Sequence, residues 1–221
     1  MIAIDATGRN WGGLGHRIGR ANPSSVWDAV HHACDFADRA TVDRFVQYGP
    51  TGLHALVGEP ETTNGRRPPM LYETYTLVQH LRHLYRIAIL DLPVVELRGT
   101  WSPLQGASIP LLVARADTES VQHTLRLLTQ LRGLADGMAE RVILVMVVSR
   151  PRALRELRAA RYQAVGAVPH VVVVPFDPIL TRAEPIDVRQ LAKATRRAFV
   201  DLATAVVAAA PQTSKEARET G

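Results

Sequence analysis

The chain has 221 residues, 47% of them apolar and 21% charged, with a formal net charge of +5 at pH 7. This length can bury a sizeable core, and the composition excludes wholesale disorder. No apolar run approaches the ~18–20 residues of a membrane span, Met1-Ile2-Ala3-Ile4-Asp5 has no basic segment ahead of an apolar one, and the single Cys34 rules out an internal disulfide framework and fits a reducing cytoplasm. Of the 26 basic residues only Lys193 and Lys215 are lysines. Arg and Ala usage of this weight suggests a GC-rich genome.

In chain order, residues 2–4 form a short apolar, β-branched run that ends in Asp5. Asn22-Pro23 predicts an N-cap with proline in the first helical turn, followed by Val26, Ala29, Val30 and Ala33 at helical spacing. Residues 59–69 are polar and rich in Gly and Pro, an exposed loop. A helix over 71–85 carries Leu77, Leu81 and Leu84 on one stripe, with Tyr72, Tyr75 and Tyr85 expected to pack it. It leads into a strand over 87–90 that ends in Asp91, and a loop over 92–107 follows. Strands are predicted at 109–113, 142–148 and 170–174. Helices are predicted at 117–134, 151–164 and 188–209, the last with Leu191, Thr195, Phe199, Leu202 and Val206 inward. Nearly continuous apolar strands alternating with helices predict an α/β layered fold with a mostly parallel sheet. One domain over 1–210 and a flexible polar tail over 211–221 complete the reading.

Three features carry chemistry. Asp5 and Asp91 each end a strand, where an acid can hold Mg²⁺ and water beside a phosphate; the plain alternative is that they cap turns. Pro175-Phe176-Asp177-Pro178 makes a third turn after a strand. Arg150, Arg152, Arg155, Arg158 and Arg161 form a basic run whose members Arg152, Arg155 and Arg158 could touch nucleic-acid phosphates without sequence preference, the alternative being a solvated helix face. His80 with His83, and His31 with His32 and Cys34, lack the third or fourth ligand of a metal site, so no metal is expected.

Together these segments resemble the MinD/ParA family of P-loop ATPases with a deviant Walker A motif, and in particular its actinobacterial MinD-like branch, over residues 1–209. Asp5-Ala6 resembles the end of the family's second strand, and residues 9–20, with Gly13-Leu14-Gly15, the stretch after it. Gly52-Leu53-His54-Ala55-Leu56 resembles a further strand, and Leu90-Asp91-Leu92-Pro93 the segment after the Walker B strand. The resemblance implies a P-loop NTPase-like fold and a nucleotide site bordered by Ser149, Arg150, Pro175 and Asp177, with Asp5 and Asp91 as the candidate catalytic acids.

The sequence departs from the family at the phosphate grip. No Gly-Lys-Ser/Thr occurs, and neither lysine follows a Gly-rich turn. Gly12, Gly13 and Gly15 have the rhythm of a phosphate loop, but His16 and Arg17 stand where Lys and Thr would be, and a polar stretch separates them from the helix expected at Asn22-Pro23. Aligning Asp5 with the family's second strand leaves the P-loop strand and its helix missing or degenerate. Neighbouring strands lie ~4.8 Å apart, so losing a central one opens a gap of ~10 Å with unpaired backbone groups. The sheet then closes up, or another chain adds a strand, or the chain is a fragment.

The function expected is that of an interaction or regulatory protein in cell division, partitioning or secretion, cytoplasmic, without ATP hydrolysis. No cofactor is expected, and Mg-ATP would bind only at a noncanonical or completed site. The partner would be a protein, such as a complete MinD/ParA-like homologue or a second copy. The alternatives are an amino-terminally truncated ATPase and a basic module binding non-specific DNA or a membrane surface peripherally.

Overall fold

The computed structural model describes residues 1–7, 13–49, 52–59, 66–92, 108–134, 137–182 and 184–210. They pack into two compact units, Met1–Leu104 with Pro178–Gln190, and Gln105–Asp177 with Leu191–Gly221. In each, helices flank a sheet whose strands are parallel apart from one short antiparallel pairing.

In the first unit the strands are β1 (Ile2–Asp5), β2 (Gln47–Tyr48), β3 (His54–Leu56) and β4 (Ala88–Asp91), in the order β2-β3-β1-β4. β1 runs parallel to both β3 and β4, and β2 is antiparallel to β3. All four residues of β1 are buried, as expected of a parallel strand covered on both faces. Ile2 and Ile4 point into one core with Val26, Ala29, Phe36, Leu56, Leu77, Leu81 and Tyr85. Ala3 points to the other face, against Ala55, Val57 and Ile18. The helices are α1 (Leu14–Ile18), α2 (Val26–His31), α3 (Arg39–Asp43) and α4 (Leu71–Leu81).

The cap of α2 is Ser25, not Asn22. Ser25 Oγ accepts from Trp27 N–H and Asp28 accepts from Ser25 N–H, a complete capping box. The Asn22 side chain is used up in its own turn, accepting from Ser24 N–H at 2.8 Å and donating to Arg44 O at 2.9 Å. Arg20 and Gln47 hold this loop down. Arg20 donates to the carbonyls of Asn22, Pro23, Ser24 and Gly58. Buried Gln47 accepts from Ala21 and Asn22 N–H and donates to Asn22 O. Of the three tyrosines expected to pack α4, Tyr85 is buried, Tyr75 is half-buried and Tyr72 faces solvent.

In the second unit β5 (Leu111–Arg115), β6 (Ile143–Val147) and β7 (His170–Val174) form a parallel sheet in that order. Its helices are α5 (Thr118–Leu134), α6 (Leu154–Ala164) and α7 (Lys193–Ala209). The core combines Ala114, Val121, Leu128, Leu144, Met146, Ala160 and Ala164. β5 begins at Leu111 and not at Ile109, because Pro110 has no N–H for a ladder and contributes only its carbonyl, which accepts from Ile143 N–H. α6 starts at Leu154 because Arg152 lies in the left-handed region at φ 62°. The helix expected over 188–209 is broken at Leu191 and Ala192. On α7 it is Thr195 and Ala198 that are buried, while Phe199 is turned outward.

The first turn of α4 carries the clearest electrostatic contribution. Glu73 accepts from Met70 N–H at 2.7 Å and from both terminal nitrogens, Nη1 and Nη2, of the Arg67 guanidinium at 2.7 Å. These bonds, the Arg67 pair foremost, pull its carboxyl from the ordinary 4.5 down to about 2. A folded pKa below the unfolded one stabilises fully above about pH 4.5 and loses that contribution as pH falls towards 2. Glu73→Gln should therefore cost about 1 kcal/mol at neutral pH, allowing for solvent screening of the exposed Arg67, and should flatten the acid limb of the stability curve. Urea titrations from pH 7 to pH 2.5 check this (about 1 kcal/mol is well within their resolution).

Candidate functional site

Asp5 and Asp91 lie side by side in the β1–β4 ladder, at the carboxyl ends of both strands. Asp5 is completely buried. A buried carboxylate needs donors, and it has three: Thr7 N–H at 3.0 Å, the Thr7 hydroxyl, and Gly58 N–H at 3.3 Å. Thr7 thus closes an Asx-type turn on Asp5, and Gly58, just past β3, ties the neighbouring strand end to it. Asp91 keeps contact with solvent, and its carboxyl is pushed above the ordinary value, first by partial loss of water and second by the Asp5 charge. Among the described residues neither acid has an ion-pair partner.

Of the glycines with phosphate-loop rhythm, Gly12 lies outside the described residues. Gly13 is left-handed at φ 70° and opens α1, which buries Gly15. A helix therefore does follow this turn directly, where the sequence suggested a polar stretch up to Asn22-Pro23. It is one turn long, held by Ile18 against the Ala3 face of the sheet with Leu14 packed alongside. His16 is exposed, and the Arg17 guanidinium donates to Leu180 O at 3.0 Å.

In the second unit Ser149 and Arg150 follow β6 and are exposed. Arg150 pairs with Glu156, a partner on α6 that the sequence reading did not single out. Pro175 follows β7, and Asp177 is buried, accepting from Ala192 N–H at 2.8 Å. Ala192 is the N-cap of α7, so Asp177 accepts the N–H of the capping residue itself and sets a negative charge beside the positive end of the helix. Arg152, Arg155 and Arg158 are exposed on and just before α6, without ion-pair partners among the described residues.

With this geometry in hand, comparison with solved structures places the fold. The chain is similar to a ParA family ATPase from Chlorobium tepidum TLS, with 15% identity, a TM-score of 0.67, and coverage of 92% of this chain and 84% of that one. It is also similar to the cell division ATPase MinD of Pyrococcus furiosus, with 18% identity, a TM-score of 0.63, and coverage of 95% and 86%. The MinC:MinD cell division protein complex of Aquifex aeolicus matches at 15% identity and a TM-score of 0.65, over 94% and 82%. No family model and no curated protein matches the sequence. At these identities the likeness is one of fold: a mixed α/β, MinD/ParA-like P-loop NTPase architecture of parallel strands flanked by helices.

Among the described residues, three that the resemblance assigns to a Mg-ATP site are engaged by other groups of the chain. The Asp5 oxygens are taken by Thr7 and Gly58, Asp177 holds Ala192, and Arg150 holds Glu156. Lys193 begins α7 and is not preceded by a Gly-rich turn. The arrangement does position two carboxylates at one sheet edge while using one of them as a structural knot.

The two acids should consequently differ on substitution. Asp5→Asn puts an amide N–H₂ against inward-pointing donors and should cost about 1–3 kcal/mol. Asp91→Asn removes a disfavoured charge and should leave stability near pH 7 unchanged or slightly raised. Chemical denaturation of both variants is the measurement, with a carboxyl NMR titration expected to show the Asp91 pKa falling in Asp5→Asn.

Proposed function

We propose that this MinD/ParA-like domain works by protein interaction and not by ATP hydrolysis, taking a strand from a partner at an open sheet edge. What supports the reading is β4. Among the described residues it is paired on one side, with β1. Ile87 and Ile89, on one face of its run, are 56% and 47% exposed, whereas β1 beside it is wholly buried. The ladder turns the N–H and C=O of alternate residues outward, which on β4 are Ala88 and Leu90. No Pro, Lys or bulge blunts this edge, as edges that must stay single are blunted. In the second unit β5 repeats the pattern: among the described residues it is paired with β6 alone, and Leu111 and Val113 are 39% and 67% exposed. β-Strand addition is a recognition mode built on these features. The partner is a MinD/ParA-like homologue or a second copy, and the setting is the cytoplasm, in division, partitioning or secretion.

The same open edge favours a second reading, a MinD/ParA-like ATPase of the deviant Walker A type whose phosphate loop and strand come from sequence outside residues 1–221. Calorimetric titration with Mg-ATP and Mg-ADP separates the two for this chain. The first reading expects no binding up to millimolar nucleotide. Micromolar binding would overturn it and make Gly13, Gly15 and Asp91 the first positions to change.

For the edge itself, Ile89→Lys and Leu90→Pro should abolish association with a second copy or homologue in sedimentation velocity. Ile89→Lys should change the melting temperature little, because Ile89 is already half exposed to water. Association that survives both changes would place the contact elsewhere.

A further inference from the structure

We propose that the cleft along the open edge of β5 selects an incoming strand that carries an acidic side chain facing Arg126. This rests on the strand-addition reading and names the chemistry of the partner's strand. The β5–β6 ladder fixes which backbone groups are free. Pro110 O accepts from Ile143 N–H, and Ala116 N–H donates to Val147 O. A parallel pair uses alternate residues, so the N–H and C=O of Leu111, Val113 and Arg115 point away from β6. A cleft of about 360 Å³ runs along this row, between Val113 and Arg115 on one side and Glu119, His123 and Arg126 of α5 on the other. The three α5 residues recur at i, i+4 and i+7, on one face of the helix. Pockets for small molecules are lined mostly by apolar side chains, and this wall is polar.

Position along the cleft follows from connectivity. β5 and β6 are parallel and α5 joins them, so α5 runs back towards the start of β5. Its first turn is tied to the end of the strand, where Arg115 Nε donates to Ser120 Oγ at 3.3 Å and pairs with Asp117. Glu119 belongs to this end, where two acids face one base. At 1.5 Å per residue Arg126 lies about 10 Å further back. No acid follows Glu119 on α5, and Arg126 has no ion-pair partner among the described residues. The cleft is therefore acidic beside Arg115 and basic beside Arg126. Charge complementarity then sets the partner: a strand with Asp or Glu opposite Arg126, on the side that faces α5. On its other side the same strand meets Leu111 and Val113, both partly exposed, so the alternate residues are apolar. Lysine opposite Arg126 would bring like charges together, and a wholly apolar strand would cover Arg126 unpaired.

The test uses two short synthetic peptides of alternating valine and threonine. They differ at one central threonine position, which is Glu in one and Lys in the other. Binding to the full chain is read by fluorescence anisotropy at low salt. The Glu peptide is expected to bind about fivefold tighter. Arg126→Glu should reverse the preference and Arg126→Gln should abolish it. Arg126 is solvent-exposed, and circular dichroism verifies the fold of each variant. Val113→Pro should also abolish the preference, because the N–H it deletes points away from β6 and the β5–β6 ladder keeps its bonds. Raising the salt should shrink the preference. Equal binding of the two peptides would overturn this inference and leave strand addition standing. So would a preference that persists in Arg126→Glu or in Val113→Pro. Binding of neither peptide would overturn both.

Discussion

A parallel strand is stable only where both its faces are covered and its backbone is paired. β1 meets that demand completely, and much of the first unit follows from it. Because Ile2 and Ile4 need cover on one side and Ala3 on the other, helices must pack on both faces of the sheet. Because β1 is short, its carboxyl end falls inside the protein, and the carboxylate of Asp5 arrives in a place without water. Thr7 and Gly58 are there to receive it. The strand, its end and the loop after β3 are thereby one unit of structure, held by hydrogen bonds to a charged acceptor, which are stronger than those between neutral groups.

β4 and β5 show the opposite situation. Among the described residues each has one strand neighbour and one open side, and each turns branched aliphatic residues to solvent. In an edge strand that evolved to remain an edge, a charge or a proline normally interrupts such a surface. The contrast between Ile4, fully buried, and Ile89, half in water on the adjacent strand, is a difference of neighbours and not of residue type. Covering side chains of this kind is worth roughly 1.5–3 kcal/mol each when complete, enough for a few of them to drive association.

Much of the architecture was legible from the residues. Apolar runs marked β1, β4, β6 and β7, and the Leu77/Leu81 stripe marked α4. The resemblance drawn from Asp5, Asp91 and the Pro175–Asp177 turn pointed to the fold that the structural comparisons then returned. What escaped was set by partners distant in sequence. β2 is too short to have a period, and Gln47 reads as a surface residue until Ala21 and Asn22 close over it. Ser25 outcompetes Asn22 as a cap because Asp28 completes the reciprocal bond while Asn22 is occupied with Ser24 and Arg44. At the candidate site the residue types were visible, but not their engagements. Nothing in the sequence says that Thr7 would satisfy Asp5, apart from its two-residue spacing, or that Ala192 would claim Asp177.

The Asp177–Ala192 hydrogen bond lies where the chain leaves the second unit and where it returns. The residues between, 178–190, pack with the first unit, whose other material ends before β5 begins. On a ribosome, then, the first unit lacks its last piece until residue 190 has been made. By that time β5, β6 and β7 have emerged and await only α7. The order of synthesis therefore does not give the order of completion. The two units finish close together in time, and neither can be cut out as a continuous stretch of sequence without leaving part of itself behind.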